Sequence, residues 1–258
     1  MRIPRSVKIV VWSVMAVCAV TLAFAAHSRN LRKSSSSPAV VIWAWERPEN
    51  LDFIDPWKIG VAFLAKTITL ESDRVSSRPR LQPLTFPAGT VITAVVRIES
   101  DRSHAPTLSN LQLLATAKHV SDLARLPNVS AVQIDFDATL SERDFYRALI
   151  LKVREQLPKT TQLSITALAS WCQGDDWLSP LPIDEAVPML FRMGIERRQI
   201  LSQLESGSLF RSRRCQSSAG VSTDERFSFN IQGKRLYIFN PQPWSPESLH
   251  AALETYDK

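Results

Sequence analysis

Val132-Gln133-Ile134-Asp135-Phe136-Asp137 alternates apolar with polar residues and ends in two carboxylates one pleat apart. Side chains of a strand point alternately to opposite faces, so Val132, Ile134 and Phe136 share one face and Gln133, Asp135 and Asp137 the other. Two acids on one face repel. A strand end carries such a pair most often to hold a proton, a sugar or a cation. Apolar runs of the same kind lie on both sides of this strand: Val40 to Trp45, Val61 to Thr67 and Val91 to Ile98 before it, and Gln162 to Ala169, Ala186 to Phe191, Gly220 to Thr223 and Leu236 to Phe239 after it. With Ser130 to Phe136 itself they make eight, most of them rich in Val, Ile, Leu or Phe, as buried parallel strands are.

Helix-period stretches separate several of them. Leu108 to Leu126 carries Leu111, Leu114, Val120 and Leu123 at near-helical spacing and stops at Pro127. Ser141 is read as the cap of a helix from Glu142 to Leu157, closed by Pro158; Ile195 to Leu204 forms a third helix, and Ser245-Pro246-Glu247 opens a fourth with a cap, a first-turn proline and an acid. Strands alternating with helices imply βα units and a parallel sheet, and eight units suggest closure. From Thr67 to Gly89 there is no helical period, and Ile68 to Leu70 and Val75 to Arg80 flank a Glu71-Ser72-Asp73-Arg74 turn, which reads as a hairpin. Gln173 to Pro182 is too short and proline-punctuated for a full helix. The expected fold is therefore α/β: an irregular (β/α)8 TIM-like barrel with some helices missing, one domain over residues 40–258.

The formal charge of +6 does not predict a nucleic-acid partner. Six of the 31 basic residues, Arg2, Arg5, Lys8, Arg29, Arg32 and Lys33, lie in the first 33 positions, where there is no Asp or Glu, and the remaining 25 balance the 25 acids. One local cluster, Arg211, Arg213 and Arg214, remains, and its plain reading is a solvated loop. Ile9 to Ala26 is an uncharged apolar run behind Arg2, Arg5 and Lys8, the layout of an export signal. Residues 1–33 are read as a signal peptide or a membrane anchor. Ala23-Phe24-Ala25 offers a cleavage site, while Arg29, Arg32 and Lys33 are unusual after one; a lipidated Cys18 is a third reading. Residues 34–39, with Ser34-Ser35-Ser36-Ser37-Pro38, form a flexible linker. The folded body is expected outside the cytoplasm, periplasmic or anchored in the inner membrane and facing the periplasm. In an oxidising compartment Cys172 and Cys215 suit a disulfide, with two buried thiols as the competing reading. A metal pair is disfavoured because no histidine lies near either cysteine at ligand spacing.

In such a barrel chemistry gathers at the C-terminal ends of the strands. Those ends bring Trp45 and Glu46, Lys66, Arg97 and Glu99, Asp135 and Asp137, Trp171, Arg192, Asp224, and Asn240 with Trp244. Asp135, Asp137 and Glu99 are the catalytic candidates: one carboxyl group, raised in pKa by its neighbour, serves as general acid, and another as nucleophile or base. The plainer reading of Glu99 with Arg97 is a structural ion pair filling the barrel. Arg97 and Arg192 would hold charge or hydroxyls, and Trp45, Trp171 and Trp244 would offer flat faces to sugar rings; core lids are the alternative for the tryptophans. His104, His119 and His250 match no triad or metal spacing, and neither a phosphate-cradling glycine loop nor a nucleophile elbow is present, so neither a metal nor a cofactor is expected.

Across roughly residues 40–245 the chain resembles a family of exported bacterial proteins known as a domain of unknown function. The matching motifs are Ile42-Trp43-Ala44-Trp45-Glu46-Arg47, Gly60 to Ala65, Val96-Arg97-Ile98-Glu99, Gln133 to Ala138, Ser164 to Cys172, Pro188 to Met193 and Ser222-Thr223-Asp224-Glu225. A looser similarity points to glycosidase barrels of the chitinase type, whose fourth strand carries two spaced aspartates followed by an acid glutamate. Asp135 and Asp137 look like those aspartates. Thr139 stands in the place of the glutamate, so Glu99 or Asp137 would have to serve instead. The resulting expectation is an exported glycoside hydrolase-like protein acting on a carbohydrate or cell-envelope glycan. The alternative is a non-catalytic glycan-binding or envelope-assembly protein on the same barrel. A metal-dependent deacetylase ranks last, for want of histidine ligands.

Overall fold

A computed structural model describes residues 38–174, 177–225 and 233–256. The expected signal or anchor at residues 1–33 and residues 34–37 of the expected linker lie outside the described residues. Pro38 is already buried, and the Leu236 amide donates to the Ala39 carbonyl at 2.8 Å.

The strands in chain order are β1 (Val40–Ala44), β2 (Glu49–Asn50), β3 (Ile59–Glu71), β4 (Arg74–Pro79), β5 (Leu84–Thr85), β6 (Ile92–Ser100), β7 (Val129–Asp135), β8 (Gln162–Leu168), β9 (Glu185–Met189), β10 (Ser218–Ser222) and β11 (Arg235–Phe239). Eight of them pair in parallel in the order β1-β3-β6-β7-β8-β9-β10-β11, and β11 pairs back to β1, which closes the ring. β3 outgrows the ring. Its first half pairs with β1 and its second half, Lys66 to Glu71, with the antiparallel β4, so the expected hairpin rises beside the mouth. β2 and β5 pair separately with each other.

Five helices are described: α1 (Asn110–Ser121), α2 (Arg143–Gln156), α3 (Ala169–Gln173), α4 (Arg197–Glu205) and α5 (Pro246–Tyr256). None follows β1 or β3 before the next barrel strand, and α3 is a single turn and a half, so the barrel is irregular where the periodicity failed. α1 begins with a capping box between Ser109 and Gln112. Its buried face is Gln112, Thr116, Ala117 and Val120, whereas Leu111 is 77% exposed, which corrects the leucine face expected from spacing. The helix after β7 is likewise not capped by Ser141. Thr139 and Glu142 form the capping box: the Thr139 amide and hydroxyl each donate to Glu142 Oε2 at 2.7 Å. Thr139-x-x-Glu142 is the sequence signature of that box, and Ser141 sits inside its first turn.

Alternation along each strand sorts side chains into two cores. Ile42, Val96, Ile134, Ile165, Val221 and Ile238 point outward under the helices, in one outer core that includes Tyr146, Leu149, Ile150 and Val153 of α2. Trp43, Val95, Val187 and Tyr237 point into the barrel. The interior is tied by polar contacts that leave few buried groups unpaired. Near the strand starts, Tyr237 Oη donates to Glu185 Oε2 at 2.6 Å and Arg235 reaches Glu185 Oε1 at 3.2 Å. Higher up, Trp43 Nε1 donates across the barrel to Gln133 Oε1 at 3.0 Å, and Gln133 Nε2 to Ser164 Oγ at 3.1 Å.

The Trp43 ring accounts for a glycine two strands away, on β10. A Cβ on Gly220 would stand 3.0 Å from that ring, 3.1 Å from Met189 Sδ and 3.2 Å from the Pro188 carbonyl. Gly220→Ala is expected to destabilise the barrel by about 1–3 kcal/mol in urea unfolding, the usual penalty of overpacking. Gly194→Ala, whose Cβ would meet nothing within 4 Å, is the matched control and should be near neutral.

Candidate active site at the barrel mouth

Asp135 is the last residue of β7, the fourth strand of the ring, and its register partner on β6 is Arg97. β8 supplies Thr166 on the other side, whose hydroxyl donates to Asp135 Oδ1 at 2.7 Å. Arg97 Nη1 lies 3.9 Å from Asp135 Oδ2, and Arg97 Nε donates to Glu99 Oε1 at 2.7 Å. Three neighbouring strands thus bring Arg97, Asp135 and Thr166 together because the inward parity of each is the same, and Glu99 joins them through Arg97. Asp137 follows two residues later, exposed above the strand end.

The Asp135 side chain is only 13% exposed. Burial pushes its pKa up to about 6 and the Asp137 charge adds to this, while the Thr166 hydrogen bond and the Arg97 charge pull the other way. Above these residues lies a cleft of about 530 Å³ between the loops that follow β6 and β7, lined by Arg97, Glu99, Asp101, Asp135, Asp137 and Glu142 among others. Glu142 is held for structure. Burial raises its pKa, but hydrogen bonds from Ser100 and from the Thr139 amide and hydroxyl outweigh that and leave it below the usual range. On the helix side of β7 the Tyr146 hydroxyl is fully buried without a hydrogen-bond partner. Burial, with the charges of Asp135 and Asp137, drives its pKa well upward.

A continuous line of contacts runs from this cleft around the mouth. The Arg97 guanidinium stands 5.7 Å from the Trp45 ring centre, Trp45 meets Phe239 edge to face at 6.3 Å, and Arg192 covers Phe239 at 5.1 Å. Arg192 has a left-handed backbone (φ 51), donates its amide to Glu225 Oε1 at 2.8 Å and lies 3.8 Å from Asp224. Asp135, Glu99, Arg97, Trp45, Arg192 and Asp224 therefore belong to one rim.

The remaining residues expected at the site lie elsewhere. Trp171 is 4% exposed, packed on Tyr146 and on Trp177, and Trp244 is 5% exposed with its indole N–H donating to the Trp43 carbonyl at 3.0 Å. Neither presents a face to a ligand; both are core lids. Asn240 is buried and accepts from the Thr223 hydroxyl at 2.7 Å, a loop-tying role. Glu46 pairs with Arg78 on β4. Lys66 is turned to the helix side by a bulge between Leu64 and Lys66, and its ammonium approaches the His119 carbonyl at 3.4 Å.

Sequence reasoning missed Asp101 and Glu142 in the cleft and Tyr146 behind it. The capping-box spacing would have found Glu142. His104 comes together with Glu71 and Asp101 at the hairpin tip, their ligand atoms within 4.8 Å. The Asp101 carboxylate there accepts the Ser103 and His104 amides at 2.6 and 2.8 Å, a loop turn that accounts for its place.

Cys172 and Cys215 are joined by a disulfide, with Cα atoms 5.9 Å apart. Among the described residues no helix is long and apolar enough to cross a membrane.

By its own register the protein is a closed parallel eight-stranded α/β barrel with a carboxylate cleft at the C-terminal mouth. No family model and no curated protein matches the chain, so the resemblance to the exported family rests on its motifs alone. Among solved structures, the chitinase domain of the spore coat protein CotE from Clostridium difficile is similar to it at 12% identity and a TM-score of 0.38. The match covers 59% of this chain and 49% of that one, and carries no weight for activity.

Proposed function

We propose that this is an exported carbohydrate-active protein of the glycoside hydrolase type, with Asp135 and Asp137 as its working carboxyl groups. The observation that carries the reading is the pair itself: a shielded carboxyl raised to about 6 beside an exposed one, both on the wall of one cleft. A carboxyl group whose pKa is raised toward neutrality keeps a protonated fraction that can deliver its proton to a departing glycosidic oxygen, and the second can act as base or nucleophile. Thr166 and Arg97 hold the first group in place, Arg97 being itself held by Glu99, and Trp45 offers the rim an aromatic face. The disulfide and the apolar N-terminal run support the export reading.

One observation favours the second reading, a glycan-binding protein without turnover. Where chitinase-type barrels place the acid glutamate this chain has Thr139, and the nearby Glu142 is committed to the helix cap. The two readings separate in a screen of cell-wall and exopolysaccharide fragments for cleavage and for binding. A hydrolase should lose turnover by about 100-fold or more in Asp137→Asn with its melting temperature unchanged. Binding with no cleavage in the parent protein leaves the second reading standing, and neither binding nor cleavage overturns both.

A further inference from the structure

The end of the barrel opposite the carboxylates carries a second pocket of about 520 Å³. It is lined by Ser179 and Asp184, which precede β9, and by Arg211, Arg213, Arg214 and Ser217, which precede β10. The one acid among its described residues is already engaged, since Asp184 Oδ2 accepts the Leu163 amide at 2.7 Å and Arg154 Nη1 at 3.3 Å. Arg211 donates to the Gly174 carbonyl at 3.2 Å, and among the described residues none of the three arginines has a carboxylate partner.

Three like charges within four positions would spread apart on a free loop. Here the backbone is pinned instead: Arg213–Cys215 is a single 3-10 turn, Cys215 is covalently tied to Cys172, and the Ser212 amide donates to the Cys172 carbonyl at 3.1 Å. Gln216 closes the turn through its amide to the Arg213 carbonyl at 3.2 Å and its side chain to the Phe210 carbonyl at 2.7 Å. The body of the chain is balanced in charge as a whole, these arginines included, so this positive concavity is a local excess held together by the fold. Guanidinium groups carried side by side on a pinned backbone suit a tetrahedral oxyanion, which they bind through paired N–H donors.

We propose that this pocket is a binding site for a phosphate group, with the Arg213 and Arg214 guanidiniums as its principal donors. The group can arrive as a soluble phosphate or as the headgroup of an anionic phospholipid. The test uses the full chain, titrated calorimetrically with inorganic phosphate at near-physiological salt and, in parallel, sedimented with vesicles of phosphatidylglycerol in phosphatidylcholine. A single saturable phosphate site weakened at least tenfold by Arg213→Ala with Arg214→Ala is expected. An Arg125→Ala with Arg198→Ala protein, with the same loss of charge elsewhere on the surface, should bind as the parent does. Vesicle binding with the same dependence, competed by free phosphate, identifies a headgroup as the source; phosphate binding without vesicle binding identifies a soluble phosphate. Binding to neither, or binding lost equally in the Arg125 and Arg198 control, overturns the site. Melting temperatures near that of the parent show that both double variants are folded.

Discussion

Asp135→Asn is expected to stabilise the protein at pH 7.5 and, on the hydrolase reading proposed above, to lower its turnover. The Asp135 pKa is about 6 in the folded state against an ordinary 3.8. Between those values the folded state binds more protons than the unfolded one, so stability falls as pH rises from about 4 to about 6. The difference corresponds to about 3 kcal/mol, fully felt above the upper value, where a shielded charge sits beside Asp137. Asn carries no charge and keeps an oxygen for the Thr166 hydroxyl. Urea unfolding of parent and variant should therefore give similar stabilities near pH 3.5 and an advantage for the variant of up to about 3 kcal/mol at pH 7.5. A gap independent of pH would show that Asp135 is not a costly buried charge. If Asp135 is the proton donor of a hydrolase, the same variant loses about 100- to 10,000-fold in turnover. A gain in stability coupled to a loss of activity is the mark of a group retained for chemistry rather than for folding.

All eight barrel strands were legible, because each is an apolar run bounded by turn residues and the interior needs no signal beyond alternation. The sequence placed Arg97 and Glu99 with the aspartates at the mouth but did not show that Arg97 is the register partner of Asp135. What failed depended on the third dimension. Lys66 was placed at the mouth by counting, and an extra residue in β3 sent it to the other face. Trp171 and Trp244 follow strand ends as a sugar platform would, yet what decides their role is the aromatic and backbone packing of segments distant in sequence. The leucines of α1 were expected inside because they are apolar. Gln112 is buried instead, since its amide donates to the Ser72 and Arg74 carbonyls of the β3–β4 hairpin, an interaction no helical period can announce.

Removing the disulfide should cost more stability than any single surface change. Cys172 and Cys215 are 43 residues apart in sequence and are 1% and 0% exposed. Closing a loop of that length restricts the unfolded chain by about 4 kcal/mol in the chain-entropy picture. Alanine is the replacement to use at both positions, because a buried serine hydroxyl would add an unrelated desolvation penalty. The double alanine protein is expected to lose about 4 kcal/mol in urea unfolding. Its m-value should also rise, because an unfolded chain freed of the cross-link exposes more surface. That second readout separates the two ways a disulfide can act. A loss of stability with m unchanged would mean that the sulfurs stabilise through packing in the folded state. The bridge joins the connection after β8 to the one before β10, so its loss should loosen the Arg213–Cys215 turn and weaken phosphate binding. Asp135 takes its contacts from β6 and β8 instead, so the pH-dependent gap between the parent and Asp135→Asn should persist in the alanine background.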